Sequence, residues 1–274
     1  MCLLLAAHDC LPDYRLILIA NRDEFHARPT APAAWWPHQD DILAGRDLES
    51  GGTWLGLHNS GRLAIVTNVR SGSRLRQGPR SRGLLVTDFL LSEHASMAFA
   101  EQIGNAARDY DGFNLLGYDG CDLVWYSNQA LAARHLPAGI YTLSNAALDT
   151  AWPKTERLRA GFDRVMKTAS RNPVRELLAL LRDAVQADDD ALPDSGVSRE
   201  MERTLSPIFI EGDGYGTRCS SIVLVDREGG IRFVERRYDR SGIVAGEDVF
   251  EFTLKSTARA ERGSHVSNGT RNSG

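Results

Sequence analysis

The chain begins with two short apolar runs on either side of turn-forming residues. Residues 2–7 (CLLLAA) and 15–20 (RLILIA) flank a polar stretch that contains Pro12 and Asp13. Apolar runs of this length around turn formers are typical of paired β-strands. The pattern therefore predicts a buried hairpin that starts at the second residue and ties the amino terminus into a sheet.

Further hairpins alternate with helical regions along the chain. We predict strand pairs at 53–57 with 62–67, 113–118 with 123–127, and 220–226 with 231–236, and single strands at 139–143 and 249–254. Helical periodicity covers 83–105, with a break near Ser92, and returns at 153–169 and 173–187. Prolines open the last two helices. We interpret the proline-rich stretch through Pro37 as irregular, 68–83 as a loop and 188–196 as an acidic loop.

The order of these elements predicts the fold class. Strands come first, then a helical pair, strands, a second helical pair and strands again, so strands and helices do not alternate singly as in a doubly wound sheet. We predict an α+β fold in which two antiparallel sheets lie between helix layers, a four-layer αββα sandwich. One domain over residues 1–255 fits the length, and we predict a disordered tail at 256–274, where apolar residues almost vanish.

Composition excludes several classes of partner. The formal net charge of -4 argues against broad binding to nucleic acid or to an anionic membrane. The sequence contains no run of about 18 apolar residues, so it predicts no membrane span. The four cysteines lack metal-ligand spacing, and the first apolar run lacks the basic flank of a signal peptide. We therefore expect a cytoplasmic protein with a small-molecule substrate or ligand, with no bound cofactor and no metal; nothing predicts its oligomeric state.

Cys2 is the main candidate for chemistry. Initiator methionine is removed before a small second residue, so we expect the mature chain to begin with Cys2. Its α-amine, with a reference pKa near ~8, can serve as the base for its own thiol, whose thiolate is the nucleophile. The alternative is that Cys2 is simply a small buried hydrophobic residue.

Polar residues at two strand ends can complete a site around Cys2. The arms of the first hairpin are nearly equal in length, so residues 21–24 fall beside residues 1–3. Arg22 could then favour the thiolate, and Asp23 could hold the ammonium or the arginine; the alternative is a salt-bridged strand end. Asn145 also follows a strand, where its amide could donate to an oxyanion or could simply cap a helix or a turn.

Three further positions extend the candidate set. Asn68 ends the second predicted hairpin, a place similar to that of Asn145. Arg218, just before an apolar strand, could hold a carboxylate or the Cys2 site, or it could be a strand-edge arginine. Arginines also crowd one loop before Gly83, at positions 70, 74, 76, 80 and 82. Guanidinium groups at a helix start favour a phosphate or carboxylate, such as that of an acyl-CoA; the alternative, which we favour, is a solvated, mobile loop.

Four blocks in this order resemble a known family. They are Met1-Cys2, Asn21-Arg22-Asp23-Glu24, Leu143-Ser144-Asn145 through Trp152-Pro153-Lys154, and Gly216-Thr217-Arg218 with Ser220-Ser221. From residue 1 to about residue 255 the chain resembles the NRDE family, also called the transport-and-Golgi-organisation family. That family is similar to N-terminal nucleophile hydrolases of the acylase and bile-salt-hydrolase type, which implies a hydrolase-like fold.

The resemblance also implies roles for individual residues. The hydrolases have a terminal cysteine, then an arginine and an aspartate after the second strand, a later asparagine and a final arginine. Cys2, Arg22, Asp23, Asn145 and Arg218 occupy corresponding places and are our catalytic candidates; the binding candidates are Asn21, Glu24, Asn68 and Arg70. The hydrolases separate the arginine and aspartate by two residues, whereas here they are adjacent and point to opposite faces of a strand. Glu24 is therefore an alternative to Asp23.

Three functions remain open at this stage. The first is an amidase or thioesterase that acts on an acyl compound through Cys2. The second is a non-catalytic carrier or chaperone for haem or a lipid, since the resemblance implies lipid metabolism and haem trafficking in eukaryotic members; His8, His26, His38 and His58 are candidate haem ligands. The third is an interaction module that binds no small ligand.

Overall fold

The computed structural model of the protein describes residues 2–70, 79–130, 132–168 and 172–254. The predicted tail at 256–274 and part of the predicted basic loop, including Arg74 and Arg76, lie outside these ranges. No helix within the described ranges is long and apolar enough to cross a membrane.

Strands dominate the described chain. They are β1 (Cys2–His8), β2 (Tyr14–Phe25), β3 (Thr30–Trp36), β4 (Gln39–Asp47), β5 (Leu55–His58), β6 (Leu63–Asn68), β7 (Phe113–Tyr118), β8 (Leu123–Ser127), β9 (Ala132–Leu136), β10 (Gly139–Leu143), β11 (Tyr215–Asp226), β12 (Gly230–Tyr238) and β13 (Val244–Thr253). The helices are α1 (Gly83–Leu91), α2 (Ser96–Ala106), α3 (Pro153–Thr168), α4 (Val174–Leu180) and α5 (Arg199–Thr204). Single 3-10 turns cover Ala107–Asp109 and Asp189–Ala191.

The strands form two antiparallel sheets. The first has the order β10-β1-β2-β11-β12-β13, and the second runs in chain order from β3 to β9. In the first sheet β1 lies between β10 and β2, so the amino-terminal strand is internal. This arrangement fixes the chain start at the sheet interior, as the first hairpin predicted.

Three buried layers of apolar residues hold the sheets and helices together. One layer fills the space between the two sheets and includes Leu4, Leu18 and Trp54. A second lies between the first sheet and helices α3 and α4, and includes Leu5 and Ile19. A third lies between the second sheet and helices α1 and α2. Even-numbered residues of β1 and β2 therefore face the other sheet and odd-numbered residues face the helices. The predicted αββα sandwich is confirmed.

Several boundaries differ from the prediction. Residues 21–24 were expected after the second strand, but β2 continues through them to Phe25. The proline-rich stretch predicted as irregular contains β3, and β4 begins just after it, where no strand was predicted. Strand β3 is an edge strand, a position where Pro32 removes no needed ladder hydrogen bond. Proline content alone was therefore a misleading signal.

Other elements were shorter or were not predicted. Helix α4 ends at Leu180 instead of near residue 187. Strand β9 and helix α5 had no counterpart in the prediction, because both are short and few of their residues are buried. The predicted hairpins at β5–β6, β7–β8 and β11–β12, the break between α1 and α2, and the edge strand β13 are all confirmed.

Candidate functional site

The first residue of β1 has a strand neighbour on the β2 side, where Cys2 pairs with Arg22. On the other side the ladder with β10 ends at the pair Leu4–Leu143, and Asn145 lies two residues beyond the end of β10. The segments that carry Arg22 and Asn145 therefore belong to the two strands that neighbour β1.

Arg22 lies on the face of its strand that looks toward the other sheet. Its guanidinium carbon is 4.2 Å from the centroid of the Trp54 ring, and its side chain is 5% exposed. Nη1 donates to Thr30 Oγ1 at 3.3 Å, and Nη2 is 3.9 Å from a carboxylate oxygen of Glu24. Stacking on an aromatic ring fixes the guanidinium plane while leaving N–H groups for other partners. Arg22 is thus a buried cation held close to the chain start.

Asp23 lies on the opposite face, as its adjacency to Arg22 predicted. Its carboxylate is fully buried and accepts a hydrogen bond from Thr217 Oγ1 at 2.7 Å. Burial raises the pKa of this carboxyl, although positive charges that include Lys154 and Arg70 oppose the rise. The arginine and the aspartate therefore act on different sides of the sheet.

Asn145 is fixed by the residues that end β6. Its Nδ2 donates to the carbonyl of Asn68 at 2.9 Å, and its own carbonyl accepts from the backbone N–H of Arg70 at 2.7 Å. Asp149, with a φ of 56°, stabilises the same loop by accepting from the backbone N–H of Thr142 at 2.7 Å. Asn68 and Arg70 thus position Asn145 through their backbone atoms.

The side chain of Arg70 belongs to a buried ionic group on the helix-facing side. Its Nη1 donates to Glu202 Oε2 at 2.6 Å, and its guanidinium carbon lies 4.8 Å from the centroid of Trp152. Lys154 is also buried, and its Nζ donates to the carbonyl of Leu205 at 3.1 Å. Burial lowers the pKa of Arg70, and the negative charge of Glu202 opposes this decrease.

Arg218 occupies a β-bulge in β11, between the pairs Thr217–Asp23 and Cys219–Arg22. Its Nη1 donates to the carbonyls of Phe25 at 2.9 Å and Arg28 at 3.2 Å, so it stabilises the turn after β2. Burial, and then the charge of Arg22, lower its pKa. These contacts support the end of β2, and a catalytic role for Arg218 stays a prediction.

Asn21 and Glu24 have contrasting surroundings. Asn21 is fully buried; its Nδ2 donates to the carbonyls of Leu181 and Ile208, each at 2.8 Å, and its Oδ1 accepts from Ser220. The two donated bonds tie the sheet to the segments that pack over it, and the bond from Ser220 joins neighbouring strands β2 and β11. Glu24 is half-buried on the face of Arg22, where it accepts from the N–H of Phe25. Of the two binding candidates, Glu24 is the one that borders open space.

A small polar cleft opens beside Arg22. Its volume is about 130 Å³, below the roughly 300–1,000 Å³ of typical ligand pockets, so it admits a small group such as the reacting end of a substrate. Its walls include the start of α1 and charged groups of both signs. They are Arg22, Asp23, Glu24, Arg28, Asp47, Thr53, Trp54, Val66, Asn68, Ser81, Arg82 and Gly83.

The four candidate haem ligands lie in separate places. His8 is buried at the far end of β1, with Nδ1 3.1 Å from the carbonyl oxygen of Leu136. His26 contacts the carbonyl of Gly212, His58 contacts Ser60, and His38 has a φ of 67° in a turn. Over the described ranges, no group of three or more His, Cys, Asp or Glu side chains is placed to hold a metal ion.

Several residues near the site had not been singled out as site residues. Trp54 and Thr30 support Arg22, Thr217 supports Asp23, and Glu202 pairs with Arg70. Contacts across tens of residues leave no local pattern, so Trp54 and Glu202 could not have been found from the sequence. Thr217 and the block 152–154 carried a signal, since both belong to the family blocks.

Comparisons with known proteins agree with these blocks. The family model described as Transport and Golgi organisation 2 matches residues 1–240. The human Transport and Golgi organization protein 2 homolog is 34% identical over 277 residues, which cover 93% of this chain and 100% of that protein. The Drosophila melanogaster Transport and Golgi organization protein 2 is 27% identical, covering 86% of this chain and 91% of its own.

Two of the solved structures with partial similarity are those of hydrolases. A Caenorhabditis elegans ortholog of N-acylethanolamine-hydrolyzing acid amidase has a TM-score of 0.46 at 10% identity, covering 81% of this chain and 92% of its own. A mutant of conjugated bile acid hydrolase from Clostridium perfringens has a TM-score of 0.42 at 10% identity, covering 93% and 92%. The matches of the family model and of the human relative over nearly the whole chain show that the protein belongs to the Transport and Golgi organisation 2 family.

Proposed function

We propose that the protein is an N-terminal cysteine hydrolase that acts on an acyl amide or a thioester. One observation supports this above the others: the backbone of Cys2 is paired with Arg22, while Asn145 follows the strand on its other side. A buried cation and a buried amide thus flank the first residue that a processed chain would have. Asp23 lies buried behind the same position.

The proposal assigns the thiol to the side of Arg22. Directly paired residues of an antiparallel ladder share a face, and the face of Arg22 is the one that borders the polar cleft. A nearby guanidinium favours a thiolate. The proposal therefore requires the sulfur of Cys2 to point toward the other sheet.

The reaction would proceed in two steps. The sulfur attacks the carbonyl carbon of the acyl group while the α-amine takes the thiol proton; the amine then gives that proton to the leaving nitrogen or sulfur as its bond to the carbonyl carbon breaks. Water next hydrolyses the acyl-cysteine thioester, releasing a carboxylic acid and restoring the thiol. In this scheme Asp23 orients the amine.

Asn145 is suited to stabilise the oxyanion of both steps. One N–H of its amide donates to Asn68, and an amide nitrogen carries two donors. We assign the second N–H to the developing oxyanion. Removal of one such donor typically costs about 10²–10³ in kcat.

Intact mass and a matched cysteine series test the proposal. Mass spectrometry of the purified chain should show loss of the initiator. Cys10 and Cys121 are exposed, so thiol labelling is read in the Cys10→Ala/Cys121→Ala background, where iodoacetamide should modify Cys2. Hydrolysis of a panel of acyl amides and thioesters should disappear in Cys2→Ala and persist in the Cys10→Ala/Cys121→Ala control.

Two results would contradict the hydrolase. One is a retained initiator, and the other is hydrolysis that Cys2→Ala leaves unchanged. Stoichiometric binding of haem or a lipid that survives Cys2→Ala, with no turnover of any acyl compound, would instead support the non-catalytic carrier.

A further inference from the structure

Arg70 carries an unused pair of hydrogen-bond donors inside the protein. Its side chain is 5% exposed, and Nη1 is engaged by Glu202. Nε and Nη2 are buried, and neither has a hydrogen-bond partner among the residues that the structure describes. Buried donors are paired in the great majority of cases, so an unpaired pair on one guanidinium needs an explanation.

The two unpaired atoms have a specific geometry. Nε–H and one N–H of Nη2 point in the same direction along one edge of the planar guanidinium. This edge matches the two oxygens of a carboxylate in a bidentate pair. A single water oxygen can accept from both donors only through bent hydrogen bonds, whereas the two oxygens of a carboxylate align with one donor each.

The surroundings of Arg70 hold this edge in a fixed orientation. Glu202 fixes Nη1, and it is itself held by the backbone N–H of Ser195 at 3.1 Å. The Trp152 ring lies beside the guanidinium. The backbone N–H of Arg70 bonds Asn145, so the edge has a fixed relation to the residue proposed to bind the oxyanion. The free edge is therefore a rigid feature of the site region.

We propose that the Nε–Nη2 edge of Arg70 binds a carboxylate of the substrate. The inference deepens the proposed function, because it assigns a carboxylate-bearing acyl compound as the substrate class. It also depends on processing: the sequence carries Met1 before Cys2, and its removal shortens the chain at the same end of β1.

Charge balance in the buried group agrees with an anionic ligand. Arg70 and Lys154 face the carboxylates of Asp23 and Glu202. The α-ammonium of the amino terminus is a third positive charge that acts on Asp23. Three positive and two negative charges give the buried group a net charge of +1. One further negative charge from a ligand would neutralise it, which burial favours.

Binding of two matched probes tests the inference. The protein is the full chain with Cys2→Ala, which blocks turnover and still permits removal of the initiator; intact mass verifies that removal. Isothermal titration compares N-hexanoylglycine, which has a carboxylate, with the neutral N-hexanoylglycinamide. We expect the carboxylate to bind at least about tenfold more tightly, and Arg70→Lys to reduce that preference to threefold or less, because lysine lacks the bidentate edge.

Arg80→Lys is the matched control. Its side chain is largely exposed in an ion pair with Asp88, so the preference should be unchanged. Should Arg70→Lys fail to fold, Arg70→Gln/Glu202→Gln replaces the buried ion pair with a neutral pair, and the same loss of preference is expected. Equal binding of both probes to the parent chain, or full preference in the Arg70 variants, would overturn the inference.

Activity separates this inference from the proposed function. Hydrolysis of both probes at equal rates by the chain with Cys2 intact would overturn the carboxylate site and leave the hydrolase standing. Preferential binding of N-hexanoylglycine that depends on Arg70, without hydrolysis of either probe, would support the site and count against the hydrolase.

Discussion

Arg22 and Asp23 are neighbours in sequence, yet they have different partners. Arg22 lies against Trp54 between the sheets, and Asp23 is bonded to Thr217 on the helix side. Strand alternation predicted this separation, because it depends only on backbone geometry. The supporting contacts were not predictable, since Trp54 and Thr217 are distant in sequence and reach the site only through sheet pairing.

Asp23→Asn should make stability less sensitive to pH. The pKa of Asp23 is raised from its ordinary value of 3.8 by burial, so the folded chain binds this proton more tightly than the unfolded chain. Its stabilising contribution is complete below 3.8 and is lost as pH rises through the raised pKa. Urea unfolding should therefore show that the free energy of unfolding of Asp23→Asn, relative to wild type, increases from pH 4 to pH 8.

Asp189→Asn is the control for this prediction. Asp189 is exposed and its pKa is lowered, mainly by the hydrogen bond from Arg203, so the corresponding difference should change in the opposite direction or not at all. A relative stability of Asp23→Asn that is the same at both pH values would contradict the prediction. Asp23→Asn should also slow the rate of thiol alkylation at Cys2 if Asp23 holds the amine.

At the scale of elements, hairpins with glycine turns were predictable and the two edge strands of the second sheet were not. The turn at residues 59–61 contains Gly61, with a φ of 90°, and its flanking strands are buried, so pattern and turn chemistry agreed. Strand β3 has mixed exposure and a proline, and short β9 has few buried positions in any pattern. Both segments form strands because they pair with neighbouring strands, and the local sequence does not show that pairing.

Strand β4 contributes to the site through a glycine. A Cβ at Gly45 would overlap with Cη2 of Trp54, the ring that supports Arg22. Gly45→Ala should displace that ring, reduce the free energy of unfolding by about 1–3 kcal/mol through overpacking, and slow alkylation of Cys2. Urea unfolding and timed iodoacetamide labelling in the Cys10→Ala/Cys121→Ala background measure the two effects.

Gly214→Ala provides the comparison for Gly45. A Cβ at Gly214 would meet no atom within 4 Å, so this variant should stay within about 0.5 kcal/mol of the parent and label at the parent rate. If Gly45→Ala unfolds like the parent chain, Trp54 has room to move and its support of Arg22 is weak.

At the scale of the whole molecule, the layer order was predictable and the link between the sheets was not. The alternation of strand groups and helical pairs implied two sheets between helices. One such link is Glu235 of β12, whose buried carboxylate accepts a hydrogen bond at 2.8 Å from the N–H of Ala33 in β3. A glutamate in a strand that also contains three arginines gives no sequence signal for a partner about 200 residues away.

Glu235→Ala should destabilise the contact between the sheets. The N–H of Ala33 would lose its acceptor, which costs about 1–3 kcal/mol of the free energy of unfolding. Glu235→Gln keeps an acceptor and should stay within about 1 kcal/mol of the parent. Burial raises the pKa of Glu235, so the parent loses stability relative to Glu235→Gln as pH rises. Thermal and urea unfolding at two pH values check both statements, and equal stabilities for the two variants would contradict them.

The opposed directions of Arg22 and Asp23 have an evolutionary consequence. Under the proposed scheme, Arg22 affects the reactivity of the thiol from one face of β2, and Asp23 affects proton transfer by the amine from the other face. Substitutions between the sheets can then adjust sulfur reactivity, and substitutions beneath α3 can adjust the amine, each nearly independent of the other. A single-residue insertion ahead of position 22 would exchange the two environments at once, so this segment should tolerate changes of side chain far better than changes of length.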